Sequence, residues 1–587
     1  MTNRDIARLF YEIAAYLEMQ AVPFKPRAYE KVAEVIENLN EEAGLIYERG
    51  GSKALGEIPG VGVSIAEKIE ELLRTGSLKY YKELKKKTPV DLNSFRGIEG
   101  LGAKSIAKLY RALNVKNIAD LEKAALSHKI RAVESFGEKS EENILKGIEF
   151  VKKSSGRFVL GFVMPLVREI ESRLRGLKEV DKIVVAGSVR RRKETIGDID
   201  ILVISKKPNA VMDFFVAMPE VARVYAHGET KSAIKLNNGL DVDLRVVGQE
   251  SYGAALNYFT GSKEHNVALR EMAIKRRLKL NEYGLFKKKS NREMRIAGKT
   301  EEELYDALGL AYIEPELREN NGEIEAAILK DANKKSNLPK LVGYGDLYGD
   351  LQIQSNWTDG ANSIEEMAKT ARGLGLEYIA ITDHTKRLAM THGLDDERIK
   401  DQWKEIDAVN SKFKSTNGNK KFKILKGTEC DILKDGSLDL SDSVLSRLDV
   451  VGVSVHSYFN LSRKEQTERI KRAMENPHVD ILFHPTGRII KKREAYDIDI
   501  DDIIRSAKKT GTILEIDAYP DRLDLKDEYV RKCVDAGVKL TIDSDAHSVS
   551  HLAYIEYGIS QARRGWATRE DIVNAWPFEK MLQYFKR

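Results

Sequence analysis

The spacing of apolar residues changes three times along this 587-residue chain, and each change predicts a different kind of element. Near the start Ile6, Leu9, Phe10, Ile13 and Leu17 recur at helical spacing, so residues 1–50 read as amphipathic helices. Ile65, Ile69 and Leu72 repeat that spacing directly after Gly60-Val-Gly62. At Asp198-Ile-Asp-Ile-Leu-Val203 the period drops to two, which predicts a strand with Asp198 and Asp200 on one face. Leu240-Asp-Val-Asp-Leu-Arg245 alternates likewise, placing Asp241, Asp243 and Arg245 together without choosing between the two acids. From 346 onward, short apolar runs alternate with helical stretches. Five of these runs end in metal-ligand residue types: Asp383-His384, Glu429, His456, His484, and Asp543-Ser-Asp545-Ala-His547. Ligands collected after successive strands predict the C-terminal face of a β/α barrel.

Composition narrows the reading. The length suggests several domains, and no run of about eighteen apolar residues is present to predict a membrane span. Cys430 and Cys533 are the only cysteines, which argues against a disulfide framework or a cysteine zinc site. Met1-Thr-Asn-Arg-Asp does not read as a signal peptide, so a cytoplasmic setting is expected. The net charge of +6 is uneven, at +1 for residues 1–150, +8 for 151–345 and −3 for 346–587. The middle third is therefore the expected footprint for a polyanion.

The candidate chemistry follows from these elements. Two carboxylates fixed side by side repel unless a cation sits between them, and a divalent metal bound to phosphate is the usual reason for such a pair. Gly187-Ser188 upstream is a small-residue turn suited to an anion, with Arg190 to Arg192 adding charge. Gly60-Val-Gly62 before a helix resembles a helix-hairpin-helix, which implies turn amides on a DNA phosphate; Gly100-Leu-Gly102 is a second copy, and Ser135-Phe-Gly137 begins a degenerate third. Histidine and carboxylate ligands without cysteine suit zinc or manganese and phosphoester hydrolysis.

Gly187-Ser-Val-Arg-Arg leading into Asp198-Ile-Asp200 resembles the nucleotidyltransferase signature of family X DNA polymerases. That resemblance implies Ser188, Arg191 and Arg157 on an incoming triphosphate, with Gly187 at the turn. It also implies Asp198, Asp200 and Asp243 on Mg2+ or Mn2+. In Tyr258-Phe-Thr-Gly-Ser-Lys-Glu-His-Asn266 it places Tyr258, Phe259 and Gly261 at the nucleotide sugar, and Asn266 and Arg270 near the new base pair. The first hairpin is similar to the lyase domain of DNA polymerase beta, which implies DNA contacts at Lys25 and Tyr29 and a Schiff-base role for Lys68. Ser64 stands where that relative has another lysine. The last third resembles the PHP phosphoesterase domain, with Asp359, His384, Glu429, His456, His484, Asp545 and His547 matching seven ligands. Its opening departs: Asp350-Leu-Gln352-Ile-Gln354 replaces Asp-Leu-His-X-His. One metal should then bind weakly, leaving 3′–5′ exonuclease or abasic-site cleavage weak or lost.

The expectation is a multidomain α+β and α/β chain. It comprises a lyase-like helical domain (1–80), a second helix-hairpin-helix domain (81–150), a palm (151–250), a thumb (251–318), a linker (319–345) and a PHP barrel (346–587). The expected activity is DNA-directed synthesis from dNTPs across short gaps bearing a 5′ phosphate, by a monomer. A phosphoesterase or DNA-binding scaffold with secondary polymerase activity is the alternative, and an RNA-tailing enzyme would have little use for tandem hairpins.

Overall fold

The computed structural model describes every residue except 2, 38, 40, 96–97, 99–100, 154–155, 290–291, 331–334, 389–390, 416–421 and 586–587. The N-terminal 150 residues are helical, from Asn3–Met19 to Glu138–Lys153. Ile6, Phe10, Ile13 and Leu17 are buried with Ile69, Leu72, Ile106 and Ile148 in one continuous apolar cluster, so the two hairpin units share a core. Tyr16 ties them further, its hydroxyl donating to the Val90 carbonyl at 2.6 Å.

The central sheet has five strands in the order Val180–Val185, Asp198–Ser205, Asp241–Val246, Lys231–Leu236, Val221–His227. Asp198–Ser205 and Asp241–Val246 run parallel, in a register that sets Asp198 opposite Asp241 and Asp200 opposite Asp243. Ile199, Ile201 and Val203 pack behind them against Val163, Val167 and Ile170 of helix Leu160–Arg175. The basic stretch after Arg270 spans the end of helix Lys263–Lys275 and a three-stranded antiparallel sheet, Leu278–Asn281, Gly284–Lys289 and Arg292–Ala297. Residues 319–345, expected as a linker, include a short helix with buried positions among exposed ones. Glu323 at the start of helix Glu323–Ala327 is fully buried and lies 2.6 Å from His265.

The last third is a sheet of seven parallel strands in sequence order, from Gly349–Ile353 to Leu540–Asp543. Its ends meet at a bridge between Ile353 and Ala546, which nearly closes a barrel. Strands Gly349–Ile353 and Ile513–Asp517 join the five read from sequence. The barrel sits directly on the palm: Arg488 reaches Glu194 at 2.7 Å, and Ile490 packs against the palm core. Among the described residues no helix is long and apolar enough to cross a membrane.

Candidate active sites

Asp198 and Asp200 line a cavity of about 550 Å3 together with Arg157, Ser188, Arg191, Lys193, Phe259 and neighbouring residues. Gly187 opens the wall. Its φ is +63°, and a Cβ there would lie 2.6 Å from Asp200 Oδ2, so both the turn and the close approach require glycine. The Ser188 hydroxyl is buried without a partner, as expected of a group held for a ligand. Burial, with Asp198 and Asp243 beside it, pushes the Asp200 carboxyl up to about 6. Lys231 neutralises Asp243 at 2.7 Å, with Arg245 at 3.8 Å, whereas Asp241 is taken by Lys235 at 2.8 Å. The acid that periodicity leaves ambiguous thus has a separate partner on the neighbouring strand. Three oxygen donors on one face fit hard divalent ions such as Mg2+ or Mn2+, although the tightest donor groups among the described residues lie in the barrel.

Arg191 is anchored from behind. It donates to the Thr260 carbonyl at 2.6 Å and pairs with Glu319 at 2.9 Å. Glu319 also meets Arg564 of the barrel at 3.2 Å, while Arg564 donates to the Arg191 carbonyl at 3.0 Å and pairs with Asp527. Arg157 is held by the Thr195 hydroxyl at 2.9 Å. Arg190 has turned away to Glu301 and Thr260, a structural role. Tyr258 and Phe259 meet edge to face at 5.0 Å, and the Arg245 guanidinium lies 4.7 Å over Phe259. Asn266 donates to the carbonyls of Tyr258 and Gly261, and the exposed Arg270 donates to the Asn266 carbonyl at 3.2 Å.

In the helical region Gly62 and Gly102 cap the N-termini of helices Val63–Thr75 and Ala103–Leu113, and Gly60 has φ +81°. Gly100 lies outside the described residues. Lys25 is exposed. The ring of Tyr29 packs between Phe10 at 5.7 Å and Tyr80 at 6.3 Å, because Tyr29, Val32, Ala33 and Ile36 form the buried face of their helix. Lys68 donates to the Ser64 hydroxyl and carbonyl, and its pKa is lowered chiefly by burial, with Lys25 adding repulsion against the attraction of Glu67.

The barrel holds two compact donor groups, Asp359–His384–His547 and His384–Glu429–His456, each with donor atoms within 4.8 Å of one another. Burial would raise the Glu429 carboxyl, but His384, His456 and His484 overrule it and hold it well below the ordinary range. His484 lies 2.8 Å from Glu429, and His484 and Asp545 both have positive φ, at +27° and +49°. Such left-handed backbone at ligand positions is strain held by the surrounding structure. A neutral imidazole offers one lone pair, so with His384 given to the first group, Asp359–His384–His547 and Glu429–His456–His484 fit two ions of the zinc or manganese type. A third does not fit. Gln354 aims an amide donor at Glu429 Oε2 at 2.8 Å, and Gln352 is buried with both amide atoms unpartnered. Asp545, outside both compact groups, faces Arg522 at 3.3 Å. Sequence reasoning missed this guanidinium and two buried acids behind it, Glu515 and Asp517, whose signal was present in the alternation Ile513-Leu-Glu-Ile-Asp517.

Comparison with known proteins bears on both sites. Residues 1–78 match a helix-hairpin-helix domain, 255–319 the DNA polymerase beta thumb and 350–576 the PHP domain. The DNA polymerase/3′-5′ exonuclease PolX of Bacillus subtilis (strain 168) is 37% identical over 594 residues, covering 100% of both chains. The chain belongs to the family X DNA polymerases. This family X polymerase is also similar to shorter proteins. A probable phosphatase of Thermoanaerobacter sp. (strain X514) is 29% identical over 236 residues, 38% of this chain and 88% of its own. A probable phosphatase of Acetivibrio thermocellus is 26% identical over 240 residues, 38% of this chain and 89% of its own. The polymerase is thus a nucleotidyltransferase acting on DNA and dNTPs, with a barrel of a kind that also exists as separate proteins.

Proposed function

We propose that this polymerase fills short gaps in DNA, extending a primer 3′ end toward a downstream 5′ phosphate. The observation that carries this reading is the cavity where the unpartnered Ser188 hydroxyl, Arg157 and Arg191 face the Asp198–Asp200 pair. Ser188 and Arg191 bind the triphosphate, and Asp243 stands beside the primer oxygen. A pair of Mg2+ or Mn2+ ions on the three aspartates supplies activation of the 3′ hydroxyl and neutralisation of developing charge. Lys25 and the amides at the first hairpin hold the 5′ phosphate, as helix N-termini favour anions. Lys68, with its depressed pKa, serves as an accessory lyase nucleophile. The enzyme works as a cytoplasmic monomer.

In the barrel, Asp359, His384 and His547 would hold one Zn2+ or Mn2+ ion and Glu429, His456 and His484 another, and such ions would supply hydroxide and charge neutralisation for slow 3′–5′ trimming. Primer extension across a single-nucleotide gap, with and without the 5′ phosphate, tests the main reading. Equal efficiency on both substrates would remove the 5′-phosphate site from it. Borohydride trapping on a 5′ deoxyribose phosphate, lost in Lys68→Ala, tests the lyase, and trapping unchanged by that substitution would reject it.

A further inference from the structure

A cleft of about 470 Å3 separates the palm from the barrel. Five basic side chains, Arg157, Arg488, Lys491, Arg493 and Lys526, line it against two acidic ones, Glu194 and Glu494. Glu194 is consumed by Arg488 at 2.7 Å. Arg157 and Lys491 are held by neutral groups, Arg157 by the Thr195 hydroxyl and carbonyl and Lys491 by the Arg157 carbonyl. Two cations therefore stand side by side, half-buried and engaged only through neutral oxygens in those contacts. Burial, with Arg157 adjacent, pulls the Lys491 pKa down, the response of an ammonium lacking an anion.

The cleft is built rather than incidental. Lys491 sits at the tip of a hairpin closed by the Ile489–Arg493 bridge, with φ +63°. The adjacent Ile490 is seated on the palm core and donates its backbone N–H to the Asp521 carbonyl. Tyr529 adds an aromatic wall. Arg157 lines both this cleft and the synthesis cavity. Thr486, two residues after His484 and fixed by Asp524 at 2.8 Å, lines the cleft as well.

We propose that this cleft binds single-stranded DNA, the unpaired 3′ end of a primer, on its path from the synthesis cavity to the barrel. A cationic groove beside an aromatic ring is the recurrent way to hold single strands without reading sequence, and a few hundred Å3 is a volume suited to a small ligand such as a nucleotide. The inference rests on the reading that one 3′ end serves both centres.

The test measures binding rather than turnover. Fluorescence anisotropy in EDTA compares a matched primer terminus with one carrying a three-nucleotide unpaired 3′ tail. For Lys491→Glu and the milder Lys491→Met, both checked for an unchanged melting temperature, affinity for tailed DNA should fall at least fivefold. Matched DNA should stay within twofold, and the salt slope on tailed DNA should shrink by about one. A 4-thiothymidine in the tail should crosslink to residues 486–493 or Tyr529. Equal losses on both DNAs, or none on either, would overturn the proposal. Tail-specific binding without any Mn2+-dependent cleavage would keep the cleft and reject only the trimming activity.

Discussion

In the palm, Asp198 is exposed and Asp243 is shared by Lys231 and Arg245, whereas in the barrel Glu429 is nearly fully buried and ringed by three histidines. The palm donors lie on two neighbouring strands of an open sheet. The barrel donors come from separate strand ends that converge. An open site leaves its final geometry to be completed by what binds there. A buried site must satisfy its charges beforehand, and Gln354 and Arg522 take positions where ions would otherwise neutralise Glu429 and Asp545. The two centres of one chain are thus prepared to different degrees, and a substitution should damage them in different ways.

The largest effect is expected in the palm. Asp200→Asn or Asp243→Ala should lower nucleotide addition about a thousandfold or more while DNA affinity stays within about threefold. Asp241→Ala, which only frees Lys235, should remain within about threefold of the parent. Single-turnover extension checks all three, and a severe Asp241→Ala defect would reverse the choice of third aspartate. In the barrel, His384 belongs to both donor groups, so His384→Ala should cut cleavage about a hundredfold and lower bound metal, with synthesis intact. The opposite change, Gln352→His with Gln354→His, should raise metal content toward three ions and speed cleavage. Metal analysis beside an exonuclease assay reads both, and unchanged stoichiometry in the double variant would show that Arg522 alone closes the third position.

How far these centres could be read beforehand differs in the same way. The palm was legible because its chemistry is local: Ser188 and Asp200 are twelve positions apart, and a period of two aligns Asp198 with Asp200. The barrel ligands were legible one by one, since each follows its own strand. What escaped was made by distant partners. Arg564 and Glu319 meet across 245 positions, which ties the start of an apparent linker to the barrel. The packing of the Tyr29 ring was foreshadowed by its spacing to Val32 and Ile36. Nothing local distinguishes Arg522 from a surface charge, because its place beside Asp517 and Asp545 depends on barrel closure.

Behind the open palm cavity lies a closed charge cluster. Glu301 pairs with Arg190 at 2.7 Å and with the fully buried Arg318. Burial opposes ionisation there, but the two guanidinium groups win and hold the carboxyl at about 2, below its ordinary 4.5. A depressed carboxyl contributes its stabilisation above the unfolded value and loses it as pH falls from about 4.5 toward 2. Glu301→Gln should therefore weaken the thumb at neutral pH by on the order of 3 kcal/mol and flatten that acid limb. Hydrogen exchange of helix Glu301–Ala307 reports it locally, and a parent-like acid profile in the variant would assign the limb to other carboxylates.

The smallest expected effect probes the seam between the two regions. Arg564 belongs to the barrel, yet it donates to the Arg191 carbonyl and to Glu319, which in turn fixes the Arg191 guanidinium at the cavity. Arg564→Lys keeps the charge but loses the fork that reaches Arg191, Glu319 and Asp527 together. If Arg191 binds the triphosphate, its loosening should raise KM for dNTP about tenfold, roughly 1.4 kcal/mol, with kcat within about twofold. Arg564→Ala should do the same more strongly and lower the melting temperature, since Asp527 and Glu319 lose a buried partner. The KM-against-kcat split carries the argument, because a general loss of folded protein lowers apparent kcat and leaves KM alone. A fall in kcat at constant KM would mean that the barrel merely props the palm. A rise in KM would mean that the more rigid centre sets the geometry of the more open one.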